Sequence, residues 1–223
     1  MALEDIAGYS LRRGLGSGSV GAVWLVRNLA SGRHAVLKRI PSASIPSVQE
    51  FREDLALAQS IDHPHITRLI EVRQTDREWL LFSQYVAAGT LTGLLQRRGK
   101  LSLGELVTLV SPLAQALAVV HRAGLTHAHL GAGDIMFDAD GRPMLTDVGL
   151  RLQGPPCTPA DDLAVLADLT HEAGGDPRTF PASLFTTDGD TLSHKVLELA
   201  TPTPLNLGFD TDPPPADVPP TPP

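Results

Sequence analysis

The sequence predicts an α+β chain of two unequal lobes, a β-rich one followed by a shortened α-helical one. Three observations predict it. Residues 9–86 string β-branched and aromatic runs between short turn signals, interrupted by one helical stretch. From residue 87 the texture changes to apolar stretches with helical spacing. The composition, 42% hydrophobic and 19% charged over 223 residues, supplies a core for one medium domain or two small lobes. The lobes are expected to divide near residue 86, with the second over 87–205 and a Pro-rich tail over 206–223. A cleft between two such lobes is a usual ligand site.

Each element has its own signal. Tyr9 to Gly14 reads as a strand leading into a glycine cluster, and Val20 to Val26 follows as a second strand. Asn28 to Gly32 is a turn, and His34 to Ile40 a third strand. Ser47 to Ile61 has helical spacing, with Val48, Phe51, Leu55, Ala58 and Ile61 on one face and Ser47 as N-cap. His63-Pro64 stops it. Ile66 to Arg73 and Glu78 to Val86 are two more strands around a turn at Thr75–Arg77. Leu91 to Arg98 is a short helix, and Leu103 to Ala123 a long apolar one ending at Gly124. Short strands and polar loops follow to Met144. Asp161 to Ala173 and Leu192 to Ala200 are further helices. Pro fills seven of the eleven residues from Pro213 to Pro223, so the tail is expected to be extended or disordered, with PxxP spacings at Pro219–Pro222 and Pro220–Pro223.

Charge and cysteine content narrow the function. Eighteen basic against twenty-five acidic residues leave a net charge of −7, which argues against a nucleic-acid binder and a polybasic membrane anchor. One cysteine, Cys157, leaves no internal disulfide and no Cys-rich zinc site. No window is expected to reach the ~18 apolar residues of a membrane helix. The acidic N-terminal residues are unlike a secretory signal, so the chain reads as cytoplasmic.

Residues 16–23 read GSGSVGAV. In a dinucleotide fold such glycines open a helix that holds pyrophosphate. Here strand texture follows, in Val23-Trp24-Leu25-Val26, so the glycines are expected in a hairpin turn that closes over phosphates. Lysine is scarce, with only Lys38, Lys100 and Lys195. Lys38 lies on a strand, in Ala35-Val36-Leu37-Lys38, fifteen residues after Val23, where a point charge reaches phosphate oxygens.

Three further segments continue the series: FREDLALAQSIDHPHITRL (51–69), LLFSQYVAAGTL (80–91) and LAQALAVVHRAGLTHAHLGAGDIMFDADGRPMLTDVGL (113–150). In this order, over roughly residues 9–170, the chain resembles the Hanks-type Ser/Thr protein kinases, bacterial ones especially. The resemblance implies a protein-kinase-like bilobal fold. It also implies a nucleotide pocket made by Gly16, Gly18, Gly21, Val23, Val36, Lys38, Asp54, Gln84, Val86 and Met136, with Asp134 and Asp147 as Mg²⁺ ligands and ATP as the nucleotide.

The same resemblance exposes losses. The family's catalytic loop reads H-R-D-L-x-x-x-N; here it is His127-Ala128-His129-Leu130-Gly131-Ala132-Gly133-Asp134. The base position is therefore His129, the activation-loop Arg is Ala128, the Lys after the base is Gly131, and the metal-binding Asn is Asp134. The family's D-F-G is Asp147-Val148-Gly149, and the helix Glu that pairs with the strand lysine aligns with Asp54. Only residues 150–161 separate Gly149 from Asp162, so the activation segment and its A-P-E motif are missing. Asp162 matches the family Asp that braces the catalytic loop.

The expectation is a truncated pseudokinase without a catalytic residue, regulating or scaffolding a protein partner, with residual ATP and Mg²⁺ binding. The alternative is a weakly active Ser/Thr kinase in which a neutral His129 serves as base. His65 is expected at the surface, and no zinc site is expected because His121, His171 and His194 lack ligand spacing. The helix at 161–173, with Leu163, Val165, Leu166 and Leu169, is expected to expose an apolar face beside Leu192, Val196, Leu197 and Leu199, through which a partner or second copy binds; the alternative is that the Leu192–Ala200 helix and the stretch Pro204–Phe209 fold back and cover it.

Overall fold

The computed structural model describes residues 6–18, 21–150 and 156–208. The expectations for the Pro-rich tail beyond Gly208, its PxxP spacings included, lie outside these residues. Five strands form one antiparallel sheet in the order β1-β2-β3-β5-β4: β1 (Tyr9–Gly18), β2 (Gly21–Asn28), β3 (His34–Pro41), β4 (Leu69–Gln74) and β5 (Glu78–Gln84). The period-2 pattern sends β3 side chains to two faces. Ala35 and Leu37 pack with Tyr9, Val26, Leu80 and Phe82 on one. Ile40 packs with Phe51, Leu55, Trp79 and Leu81 on the other.

That second face is covered by helix α1 (Val48–Ser60), capped by Ser47, whose hydroxyl accepts from the Glu50 amide at 3.4 Å. Its buried residues are Phe51, Asp54, Leu55 and Ala58. Leu150 joins the same cluster, which fastens α1 to the chain just after Gly149.

The glycine cluster is not confined to a turn. Gly14, Gly16 and Gly18 belong to β1, which runs to Gly18 with irregularities at Leu11/Arg13 and Gly14/Gly16. Gly18 faces Gly21, the first residue of β2, across the strand pair. Alternating glycines leave a strand without side chains to bury, so pattern reading ended it early.

The second lobe is built on α3 (Leu103–Arg122), preceded by α2 (Leu91–Arg98) and followed by the β6 (Ile135–Phe137) and β7 (Pro143–Leu145) hairpin. α3 begins with a capping box between Ser102 and Glu105. By length and composition α3 is apolar enough to cross a membrane, which corrects the sequence expectation. Its most apolar window is 67% buried inside the fold, the pattern of a core helix.

α4 (Pro159–Glu172) and α5 (Gly189–Leu197) close this core. The apolar face expected on α4 is covered within the chain. Leu163, Leu166, Leu169, Leu192 and Val196 are all buried, and only Leu197 of that set is exposed. The 3-10 turn Ala182–Thr186 packs on α4, and α5 packs on α3. A Cβ on Gly189 would lie 2.2 Å from the Ala114 carbonyl, so only glycine permits that approach. Ser111 and Ser193 hydroxyls meet at 2.8 Å inside the contact. His65 is half-buried rather than at the surface, with Nδ1 donating to the Pro143 carbonyl at 2.7 Å.

Candidate functional site

The sheet places Lys38, buried at 9% exposure, directly opposite Val23 and two residues from half-buried Val36 on one face. Gly21 begins β2 at φ +150, and a Cβ there would come within 1.9 Å of the Arg39 carbonyl oxygen. Gly16 has φ +146 with open space where a Cβ would point, so the strand pair presents bare backbone at this end. Val86 is buried in the connection between β5 and α2. The Gln84 side chain is committed elsewhere, its oxygen accepting from the Arg68 amide at 3.4 Å. Met136 is the half-buried residue of β6, between fully buried Ile135 and Phe137, and pairs with Thr90 at the start of α2.

Lys38 forms its ion pair with Asp147. Asp54, assigned by alignment as the lysine's helix partner, is buried on α1 among Phe51 and Leu55. Its backbone carbonyl lies against Gly149, where a Cβ would be 3.6 Å from it.

Asp134 and Asp147 are tied through the backbone, since the Thr146 amide donates to the Asp134 carbonyl at 2.9 Å. Burial pushes the Asp134 carboxyl above its usual range; His127 and Lys38 pull it down, and the neighbouring Asp147 charge raises it further. Two carboxylates that repel each other in a half-buried site fit a hard divalent cation. Mg²⁺ is commonly held by one or two carboxylates, with substrate phosphates and waters completing its shell. Among the described residues no cluster of three or more His, Cys, Asp or Glu side chains forms, so a cation held here would need its remaining ligands from outside the chain.

The loop from Leu125 to Asp134 is shaped by Asp162, at 1% exposure near the start of α4. Its carboxylate accepts from the backbone amides of His127 (2.8 Å) and Ala128 (3.1 Å) and from His121 Nε2 (2.8 Å). The Cys157 thiol also donates to it at 3.5 Å. Burial raises the Asp162 carboxyl, but the bonds from His121, His127 and Ala128 outweigh it, and the pKa lies below the ordinary value. Burial, then the Asp162 charge, pushes the Cys157 thiol up, so it is a poor nucleophile.

Among the described residues only Ala128 (φ +68) and Asp147 (φ +63) are non-glycines at positive φ, and both lie here. Such conformations persist where surrounding bonds over-determine them, and they gather at functional sites. His127 Nε2 donates to the Thr146 carbonyl at 2.8 Å, linking the loop to the Asp147 turn, while its Nδ1 is buried without a hydrogen-bond partner. His129, at the base position, is exposed.

Sequence reasoning missed Glu105, at 6% exposure. It accepts from Arg98 (2.6 Å), the Ser102 amide (2.9 Å) and the Asn206 amide (3.2 Å). The spacing Ser102-x-x-Glu105 is a legible capping-box signal, but its further partners are distant in sequence.

A family model described as protein kinase domain matches residues 9–165. Among curated relatives, CBL-interacting protein kinase 17 of Oryza sativa subsp. japonica is 29% identical over 148 residues, 65% of this chain and 33% of that protein. CBL-interacting protein kinase 1 of the same organism is 30% identical over 145 residues, 64% of this chain and 32% of the relative. The serine/threonine-protein kinase BCK1/SLK1/SSP31 of Saccharomyces cerevisiae is 25% identical over 144 residues, 61% of this chain and 10% of the relative. The chain thus spans about a third or less of the length of these relatives.

Proposed function

Since this chain belongs to the protein kinase domain family, we propose that it is a catalytically silent member that binds ATP with Mg²⁺ and regulates or scaffolds a protein partner. The observation that carries the reading is an asymmetry in one cleft. Lys38 and Asp147 are retained and Asp134 keeps metal-binding oxygens beside them, whereas Ala128, His129 and Gly131 stand where the family has the activation-loop Arg, the carboxylate base and a Lys at the transferring phosphate. Lys38 would meet phosphate oxygens as a point charge, and Asp134 and Asp147 would hold the cation. An imidazole adds no negative charge to orient an acceptor hydroxyl. The short segment before α4 leaves little chain on which a protein substrate would lie.

The test is a thermal-shift titration with ATP, with and without Mg²⁺, beside a phosphotransfer assay on the chain itself and on generic basic substrates. ATP at 100-fold above its Kd adds about 2.7 kcal/mol of stability. No labelled phosphate is transferred. Mg²⁺-dependent labelling that Lys38→Ala abolishes would overturn the silent reading. An ATP-insensitive melting curve would leave a pure interaction module.

A further inference from the structure

We propose that residues 201–208 form a strap that positions α2 and, through α2, the loop side of the cleft. The segment has no regular secondary structure, yet it is fastened at four points. The Thr203 amide donates to the Gly104 carbonyl (3.1 Å), and its carbonyl accepts from the Thr108 hydroxyl (2.7 Å). Leu205 is buried in the core, and the Asn206 amide donates to Glu105. The Asn206 and Leu207 carbonyls accept from Arg98 (2.6 Å) and Arg97 (3.3 Å) at the end of α2.

The other end of α2 is stitched to the cleft. The Thr92 amide donates to the Ala132 carbonyl (3.1 Å), inside the loop that carries Asp134. Just before the helix, Ala88 and Gly89 exchange backbone bonds with Phe137 at 3.0 and 2.9 Å. A helix of eight residues is too short to bend, so what grips one end sets the other. Thr201, Pro202, Thr203 and Pro204 lie exposed on the strap, where a partner reaches it without entering the cleft. Surface segments without regular secondary structure open locally at lower free energy than core helices, so the strap detaches before the fold does.

Gly104 offers a clean way to test this. A Cβ there would lie 2.7 Å from the Thr203 hydroxyl oxygen and 2.9 Å from the Thr201 carbonyl, while alanine suits the first turn of α3 better than glycine. Gly104→Ala therefore expels the strap without weakening α3, and adding Thr203→Pro removes the amide that bonds Gly104. Hydrogen exchange on the full chain is the readout. The Asn206 amide reports release. The expected result is that exchange at Thr92 and Phe137 then rises about tenfold, with amides in β2 and β3 unchanged. Unchanged protection at Thr92 and Phe137 after release overturns the proposal. So does uniform acceleration across both lobes, or an Asn206 amide that stays protected in the double variant.

The regulatory part rests on the nucleotide reading, and is tested separately by ATP·Mg²⁺ affinity. Released variants bind about fivefold more weakly where the parent binds. If the parent does not bind ATP, that reading fails while the exchange experiment still judges the strap.

Discussion

On the side of the site where nucleotide is proposed to bind, the side chains that handle charge are present and close together: Lys38 on Asp147, with Asp134 beside them. On the opposite side the side chains have gone and the backbone remains. Ala128 holds φ +68 because Asp162 accepts its amide, although nothing of a guanidinium is left at that position. His127 keeps its link to the Thr146 carbonyl although its neighbour His129 points to solvent. The groups that shape the loop are thus different from the groups that would react in it. The positions of the reactive side chains carry few of the bonds that shape the loop, whereas the buried Asp162 carboxylate beneath them carries four.

The sharpest way to break that contrast is Asp162→Ala. It strips the acceptor from two backbone amides, His121 and Cys157 at once. Each buried donor left unsatisfied costs roughly 1–3 kcal/mol, so the loss is expected at about 3–5 kcal/mol, near 10 °C in Tm. A melting curve within 2 °C of the parent would show that the loop holds itself.

Glu105 is the corresponding buried carboxylate of α3. Burial raises its pKa, but bonds from Arg98, Ser102 and Asn206 outweigh that and bring it from 4.5 down to about 2. Its contribution is therefore complete above pH 4.5 and is lost as the pH falls towards 2, and amounts to about 3 kcal/mol. Glu105→Gln is expected to cost about that much at neutral pH and to flatten the stability profile between these limits. An unaltered acid limb in urea titrations would reject the assignment.

Smaller effects separate the two sides. Lys38→Ala is expected to weaken ATP at least ~10-fold, about 1.4 kcal/mol, whereas His129→Ala leaves affinity unchanged by calorimetry. Equal losses would place the nucleotide elsewhere. Ala128→Gly relieves the left-handed backbone and is expected to stabilise by up to about 1 kcal/mol, less the entropy glycine adds to the unfolded chain. His129→Asp alone is expected to restore no phosphotransfer, because Gly131 and the shortened segment before α4 stay as they are.

Much of this was readable from residue order. The strand with Lys38, the Ser47 cap and the two aspartates each carry a short-range signal: alternation, a hydroxyl before a periodic run, or a motif. What escaped was long-range. The 3-10 turn Ala182–Thr186 that packs on α4 carries no such signal, because its stretch has no period. Only residues 206–208 of the strap fell in the expected tail, because their bonds come from Glu105, Arg97 and Arg98, about a hundred residues earlier. The apolar run of α3 reads alike for a membrane span and a core helix until its neighbours are known.

The fit of Gly189 against Ala114 has a consequence for how the chain is made. α3 leaves the ribosome well before the segment that seals it, and at ~10 residues per second it waits several seconds with its apolar flank uncovered. Nothing earlier in the chain substitutes, since α5 supplies Leu192, Ser193 and Val196 to that flank. The second lobe therefore completes its core only once α5 has emerged, and until then the apolar flank of α3 is open to aggregation.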